Sequence, residues 1–218
     1  MGDDDNDDDD NNDDDDDTTI NVFWSENFDS LSLGDLPIPP WELWLHNATA
    51  QVVTSPLGQG NCLKLDDQST VGAEGAAAYM YLSTYPQVES EFYISLDTVL
   101  EEGNRAYTFL TAFYHSYFKI YYLDYLPNEI GVWEGMPGES NYLFCVAVDN
   151  SIQHNTVIQV DPISEKYSVY VDGQPTACMD VDFIVSGMSI VGMGVFTSTM
   201  EGDYAVFYAD NWKAYTLN

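Results

Sequence analysis

Hydrophobic and polar residues alternate in short runs along most of this chain, and a helical period is nearly absent. The cleanest run is Gln87 to Leu96, where Val88, Phe92, Ile94 and Leu96 share one side with Ser90, and Gln87, Glu89, Glu91, Tyr93 and Ser95 share the other. A pleated strand sends successive side chains to opposite sides, so the run predicts a strand with one face on a core and one in water. Asn155 to Gly173 predicts a hairpin, because Thr156–Val160 and Tyr167–Val171 flank the turn Asp161-Pro162-Ile163-Ser164-Glu165. In that turn Pro162 presets φ and Asp161 can bond to its own backbone. Asp172-Gly173 supplies a further turn, leading into a strand over 177–184. Other strands are predicted at 41–47, 50–54, 61–66, 76–82, 106–114, 117–123, 129–134, 141–148, 189–197 and 204–217. About thirteen short strands without helices between them predict two packed antiparallel sheets or a barrel. No repeat of fixed period suggests a propeller or solenoid.

Composition changes this picture at the N-terminus. Of 37 Asp and Glu among 218 residues, twelve Asp lie in residues 3 to 17 beside three Asn, leaving 25 acidic against 5 basic residues beyond. A run of like charge with no apolar residue cannot bury enough surface to offset chain entropy. Residues 1–17 therefore read as a disordered, self-repelling spacer, and 18–218 as one β-sandwich domain. The five basic residues are scattered singly, which excludes nucleic-acid binding, and an anionic membrane surface would repel the chain. No stretch approaches the roughly 18–20 apolar residues of a membrane span. Met1-Gly2 leads straight into Asp, so an exported protein would need a signal that this sequence lacks. Cys62, Cys145 and Cys178 allow at most one internal disulfide. Their spacing does not say which two pair.

Three segments resemble a known family. Glu26-Asn27-Phe28-Asp29-Ser30-Leu31 followed by Gly34-Asp35-Leu36-Pro37 and Trp41 is similar to the opening of jelly-roll modules of the concanavalin A-like lectin/glucanase superfamily. His154 to Asp161 with Lys166 to Gly173 resembles the hairpin of laminin-G-like domains, with Gln153 where that pattern has an aromatic residue. Tyr208-Ala209-Asp210-Asn211-Trp212-Lys213-Ala214-Tyr215 resembles the closing strand of jelly-roll carbohydrate-binding modules. The resemblance implies a jelly-roll sandwich over residues 22–216. It also implies a structural calcium ion held by Glu26, Asp29 and Asp210, with Asn27 or Asn211 as further oxygen donors, since Ca²⁺ takes six to eight oxygen ligands in irregular geometry.

Aromatic residues number 31, made up of 5 Trp, 16 Tyr and 10 Phe, and such rings are common platforms for sugars. Trp41 and Trp44 have opposite facing on one predicted strand, so one of them is exposed. In a jelly roll the mid-chain strands form the concave glycan-binding sheet, which makes Trp133, Tyr117, Tyr121 and Trp44 the ligand-binding candidates. No catalytic residue is assigned. The glucanases of this fold place their carboxylates at alternate positions of one strand, whereas Glu129, Glu134 and Glu139 are spaced by five. Glu89 and Glu91 share a face without a third acid. Tyr117-Phe118-Lys119-Ile120-Tyr121 and Gln153-His154 echo alginate lyases of this architecture in reversed order. The arginines that would neutralise a uronate are absent around Ser90-Glu91-Phe92, and Arg105 is the sole arginine. His46, His115 and His154 stand in no triad context.

These readings converge on a surface-attached or extracellular module that binds neutral or cationic glycans without catalysis. The spacer resembles the one that follows the lipid-bearing cysteine of bacterial surface lipoproteins. Two alternatives stay open, a glycoside hydrolase or lyase of the same fold and an assembly domain whose tyrosines contact a protein partner at the cell surface.

Overall fold

An alternating run becomes a strand only when neighbouring strands satisfy its main chain and an opposing surface covers its apolar side. A computed structural model of the chain describes residues 19–37, 40–58, 60–70, 72, 74–112, 119–134, 141–197 and 201–218. The acidic segment 1–17 lies outside the described residues. Sixteen strands are described: β1 (Ile20–Glu26), β2 (Glu42–His46), β3 (Thr49–Thr54), β4 (Asn61–Asp67), β5 (Gly75–Tyr81), β6 (Phe92–Gly103), β7 (Ala106–Thr111), β8 (Lys119–Leu126), β9 (Glu129–Trp133), β10 (Tyr142–Ala147), β11 (His154–Asp161), β12 (Lys166–Val171), β13 (Gln174–Pro175), β14 (Val181–Asp182), β15 (Gly192–Thr197) and β16 (Ala205–Leu217).

They form two antiparallel sheets. The nine-stranded sheet runs β13-β12-β11-β6-β16-β4-β3, with β1 on the second half of β16 and β14 on β12. The seven-stranded sheet runs β10-β9-β8-β7-β15-β5-β2. This is the all-β sandwich that the alternation predicts. One main hydrophobic core lies between the sheets and draws on both, from Trp24 to Ala214. At one end of it, Trp41 packs edge-on against Trp24 at 5.9 Å and Trp212 at 5.5 Å, with Phe28 at 5.8 Å. Trp41 is therefore the buried member of the early tryptophan pair and Trp44 the exposed one.

The predicted hairpin is present, with Thr156 opposite Val171 and Asp161 opposite Lys166. Asp161 caps its turn by accepting from the Ile163 and Ser164 amides. Asp172 and Gly173 have φ of 51° and 73°, the positive pair that a two-residue hairpin turn requires. Two expected strands differ. Residues 86–89 form a 3₁₀ turn opened by Pro86, and the strand begins only at Phe92. Between 177 and 184 only Val181–Asp182 is paired as strand, and Cys178, whose carbonyl accepts from the Val169 amide of β12, bonds Cys145 of β10. That disulfide ties the two sheets together, and beside it the Ala177 amide donates to the Cys145 carbonyl at 3.0 Å. Cys62 is buried, and burial pushes its thiol up to about 12, so it stays protonated.

The Cys145–Cys178 loop spans 33 residues. Restricting the unfolded chain over that length corresponds to about 3–4 kcal/mol. Denaturant unfolding of a variant carrying Cys145→Ser and Cys178→Ser is expected to show a loss of this size. A midpoint unchanged from the parent chain would mean that the bridge contributes nothing.

Candidate ligand-binding face

In the seven-stranded sheet the pleat puts Tyr121, Leu123 and Tyr125 of β8 into the inter-sheet core and turns Tyr122 and Asp124 outward. The register then aligns the outward residues across the sheet. Asp124 stands opposite Tyr107 of β7 and Gly131 of β9, and Tyr107 in turn opposite Phe196 of β15. Phe109 stands opposite Tyr122, and Trp133 opposite Tyr142 of β10. The result is an aromatic cluster separate from the core: Tyr107, Phe109 and Tyr122, with Tyr79, Trp133, Ile184 and Phe196 packed against them. Phe196 is its hub, stacked on Tyr107 at 4.5 Å and edge-on to Phe109 at 5.7 Å and Tyr122 at 5.9 Å. Tyr107, Phe109 and Tyr122 are buried, while Tyr79, Trp133 and the hub Phe196 are half-buried.

A charged network anchors one margin. The Trp133 indole donates from Nε1 to Asp124 Oδ2 at 3.1 Å, and Arg105 Nε lies 3.3 Å from the same oxygen. The Arg105 guanidinium also reaches Asp203 at 3.5 Å and covers the Trp133 ring at 5.9 Å from its centroid. Tyr142 meets Trp133 edge-on at 5.3 Å, and its hydroxyl donates to Glu129 Oε1 at 3.0 Å. Tyr142 reaches that place because Gly131 has no side chain: a Cβ there would sit 2.2 Å from the Tyr142 hydroxyl. Asp124 is 0% exposed. Burial pushes its carboxyl up to about 7, against the opposing pull of Arg105 and the Trp133 indole. Trp133 is thus held from its edge by a carboxylate, from its face by a guanidinium and from its side by a tyrosine. That fixes the ring before any ligand arrives.

The four expected ligand contacts separate under this geometry. Trp133 lies at the anchored margin of the face. Trp44 projects from edge strand β2 with 42% exposure and stacks on His46. Tyr121 is a correction: it is 1% exposed, tilted on Tyr167 of the other sheet at 5.2 Å, and has no ring face to offer a ligand. Tyr117 lies outside the described residues. Tyr107, Tyr122, Phe196, Arg105 and Asp124 escaped the sequence reading, although Tyr107/Phe109 and Tyr122/Asp124 are period-two pairs that mark a common face.

The three carboxylates expected to hold calcium each accept hydrogen bonds from the chain. Glu26 Oε1 accepts from the Phe28 amide at 2.7 Å, which holds Phe28 at φ 58°. Asp29 accepts from the Asn61 amide at 2.8 Å and from the Asn27 side chain at 3.0 Å, joining the first turn to β4. Asp210 accepts from the Asn211 amide at 2.7 Å and the Ser55 hydroxyl at 3.3 Å. Its carboxyl is pushed up to about 6, by burial first and then by Asp29 and Asp97 nearby. Among the described residues no three His, Cys, Asp or Glu side chains come together as a metal-holding group. Each carboxylate keeps lone pairs beyond these bonds, and Asp29 and Asp97 lie near enough to Asp210 to act on its charge.

A cavity of about 340 Å³ opens elsewhere, on the outer side of the nine-stranded sheet, between Pro56, Val99, Glu101, Ile152, Gln153 and Tyr208. Its one ring, Tyr208, is buried and spends its hydroxyl on Glu101 at 2.6 Å. The aromatic face offers the partly exposed rings of Trp133, Tyr79 and Phe196 for stacking.

No protein-family model matches the chain, and no curated protein does. Among solved structures, it is similar to a sialidase at a TM-score of 0.66 and 14% identity, over 88% of this chain and 18% of that one. It is similar to a cellulose-induced protein at 0.65 and 12% identity, over 88% of this chain and 96% of that one. A conserved carbohydrate esterase from Shiga toxin-encoding bacteriophage phi24B gives 0.64 and 13% identity, over 91% and 99%. The chain thus spans under a fifth of the sialidase and nearly all of the other two.

Asp124 and Asp210 hold protons to higher pH folded than unfolded, so the folded state binds more protons between roughly pH 4 and pH 7, and stability falls as pH rises through that window. The opposite case is Asp149 and Asp161, held below the usual carboxylate range by hydrogen bonds from Ser151 and Ser164. Asp149 is exposed and Asp161 half-buried at a surface turn, and their small contribution is lost only as pH falls through the acid range. The melting temperature is therefore expected to be higher at about pH 5 than at about pH 8, and Asp124→Asn to narrow the gap. A melting temperature that climbs from the lower pH to the higher would contradict the burial of these acids. At 12–14% identity the likeness to solved structures extends to the fold, and by that fold the chain is an all-β sandwich.

Proposed function

We propose that this chain is a non-catalytic glycan-binding module of the concanavalin A-like jelly-roll type, and that it binds on the outer face of the seven-stranded sheet. The observation that carries the reading is the second aromatic cluster, set apart from the core on an outward face, where packing alone does not require such rings. The half-exposed Trp133, fixed by Asp124, Arg105 and Tyr142, supplies a rigid stacking ring with little ordering cost on binding. Glu129 and Tyr142 at the same margin can hydrogen-bond sugar hydroxyls. Net charge of -32 on the chain disfavours uronates and sulfated polymers and favours neutral or cationic glycans. The names of the structural neighbours, a cellulose-induced protein and a carbohydrate esterase among them, lie in the same direction.

The Cys145–Cys178 bridge suits an oxidising compartment and supports an extracellular or surface-attached location. A structural calcium ion is not part of this reading. The enzymatic alternative has one feature in its favour, the Asp124 carboxyl near neutrality, where a general acid–base group works well. That carboxyl is fully buried and committed to Arg105 and Trp133, which suits a positioning role.

A glycan array followed by calorimetric titration tests the proposal. Trp133→Ala is expected to weaken the best neutral or amino-sugar ligand at least about tenfold, and Trp133→Phe to retain part of the affinity. Full affinity in Trp133→Ala, no hit on the array, or release of reducing ends from the hit would each overturn it.

A further inference from the structure

Four hydroxyls meet inside the core, two from each sheet. Tyr125 of β8 stands opposite Ala106, which places Thr108 two residues along β7 on the same inward side. In the other sheet Thr156 of β11 stands opposite Leu96, with Thr98 two residues along β6. The Tyr125 hydroxyl lies near Thr108 of its own sheet and near Thr156 and Thr98 of the other. All four residues are at most 1% exposed, and none of the four oxygens has a hydrogen-bond partner within the protein. Other such atoms, Trp41 Nε1 and Trp212 Nε1 among them, belong to different parts of the molecule, whereas these four hydroxyls share one place.

A buried hydroxyl without a partner is costly, and four together are a cost that a domain of ordinary stability does not carry. The group is neutral, so it carries no charge to balance a buried metal cation or anion. Each hydroxyl can both donate and accept. A ligand that bridges them must be small, neutral and able to give and receive hydrogen bonds in several directions. We propose that this nest is a binding site for one internal water molecule, which links the two sheets through Tyr125, Thr108, Thr98 and Thr156.

The placement gives the water a further role. Thr108 lies between Tyr107 and Phe109, and Tyr125 follows Asp124, so the strands held from inside carry the aromatic face outside. The bridge fixes the height of β7 and β8 above the opposite sheet. It does not depend on what the outer face binds.

Oxygen-17 magnetic relaxation dispersion of the full chain tests the site. A variant with Thr98→Val and Thr156→Val keeps the shape of both side chains and leaves hydroxyls from one sheet only. The parent chain is expected to show one more long-lived water than this variant. Equal dispersion amplitudes would overturn the proposal and mean that the hydroxyls bond directly to one another or to the backbone. Should the variant fail to fold, a crystal structure of the parent chain that shows ordered waters decides: density bonded to at least three of the four oxygens is expected, and hydroxyls in direct contact with no density between them would overturn the site.

Discussion

Every strand in a two-sheet sandwich must give one side of its pleat to the other sheet, and everything else about this molecule follows from what is left for the outward side. In the seven-stranded sheet the inward set is Tyr121, Leu123 and Tyr125 on β8 and Ala106, Thr108 and Leu110 on β7. The outward set on the same strands is Tyr122 and Asp124, Tyr107 and Phe109. A shift of one residue would exchange the two. The register is therefore what turns an unusual content of tyrosine into an aromatic face with a carboxylate in its midst. The cross-sheet disulfide and the Trp41–Trp212 contact hold the two layers while the register does this.

Charge is the second organising term. The chain is strongly acidic, yet its sole arginine is spent inside, between Asp124 and Asp203 and over Trp133. Removing a positive charge from solvent is unfavourable unless carboxylates surround it, and a buried carboxylate needs the same in return. The pair is best understood as a device that fixes a ring. Burial wins over attraction at Asp124, which is why its carboxyl rises toward neutrality in spite of Arg105. Asp210 rises for the same first reason, reinforced by acidic neighbours.

Much of the fold was legible because alternation, Asp172-Gly173 and Asp161-Pro162 act locally. Strands at 61–66, 76–82 and 129–134 needed only their own residues to be placed. The departures are non-local or turn-level: Pro86 opens a 3₁₀ turn, and in the 177–184 run Cys178 bonds a partner 33 residues away. The site was less legible. Alternation separates Tyr122 from Tyr121 and Tyr125, but which of the two parities faces out is set by pairing with β7, and that ladder is irregular between Leu110 and Thr111. Sequence choice of Tyr121 took the inward parity. Glu26, Asp29 and Asp210 have a local use that the sequence did not show, since they accept hydrogen bonds from the amides of Phe28, Asn61 and Asn211. Arg105 was passed over because its partners are 19 and 98 residues away.

The central claim is that recognition takes place on the aromatic outer face of the seven-stranded sheet. Its most direct measurement is chemical-shift mapping by NMR with the best glycan from the array. The account predicts that the Trp133 indole N–H and the amides around Tyr107, Tyr122 and Phe196 shift on titration while those of Glu101, Gln153 and Tyr208 stay in place. Shifts confined to Glu101, Gln153 and Tyr208, around the cavity of the opposite sheet, would contradict it.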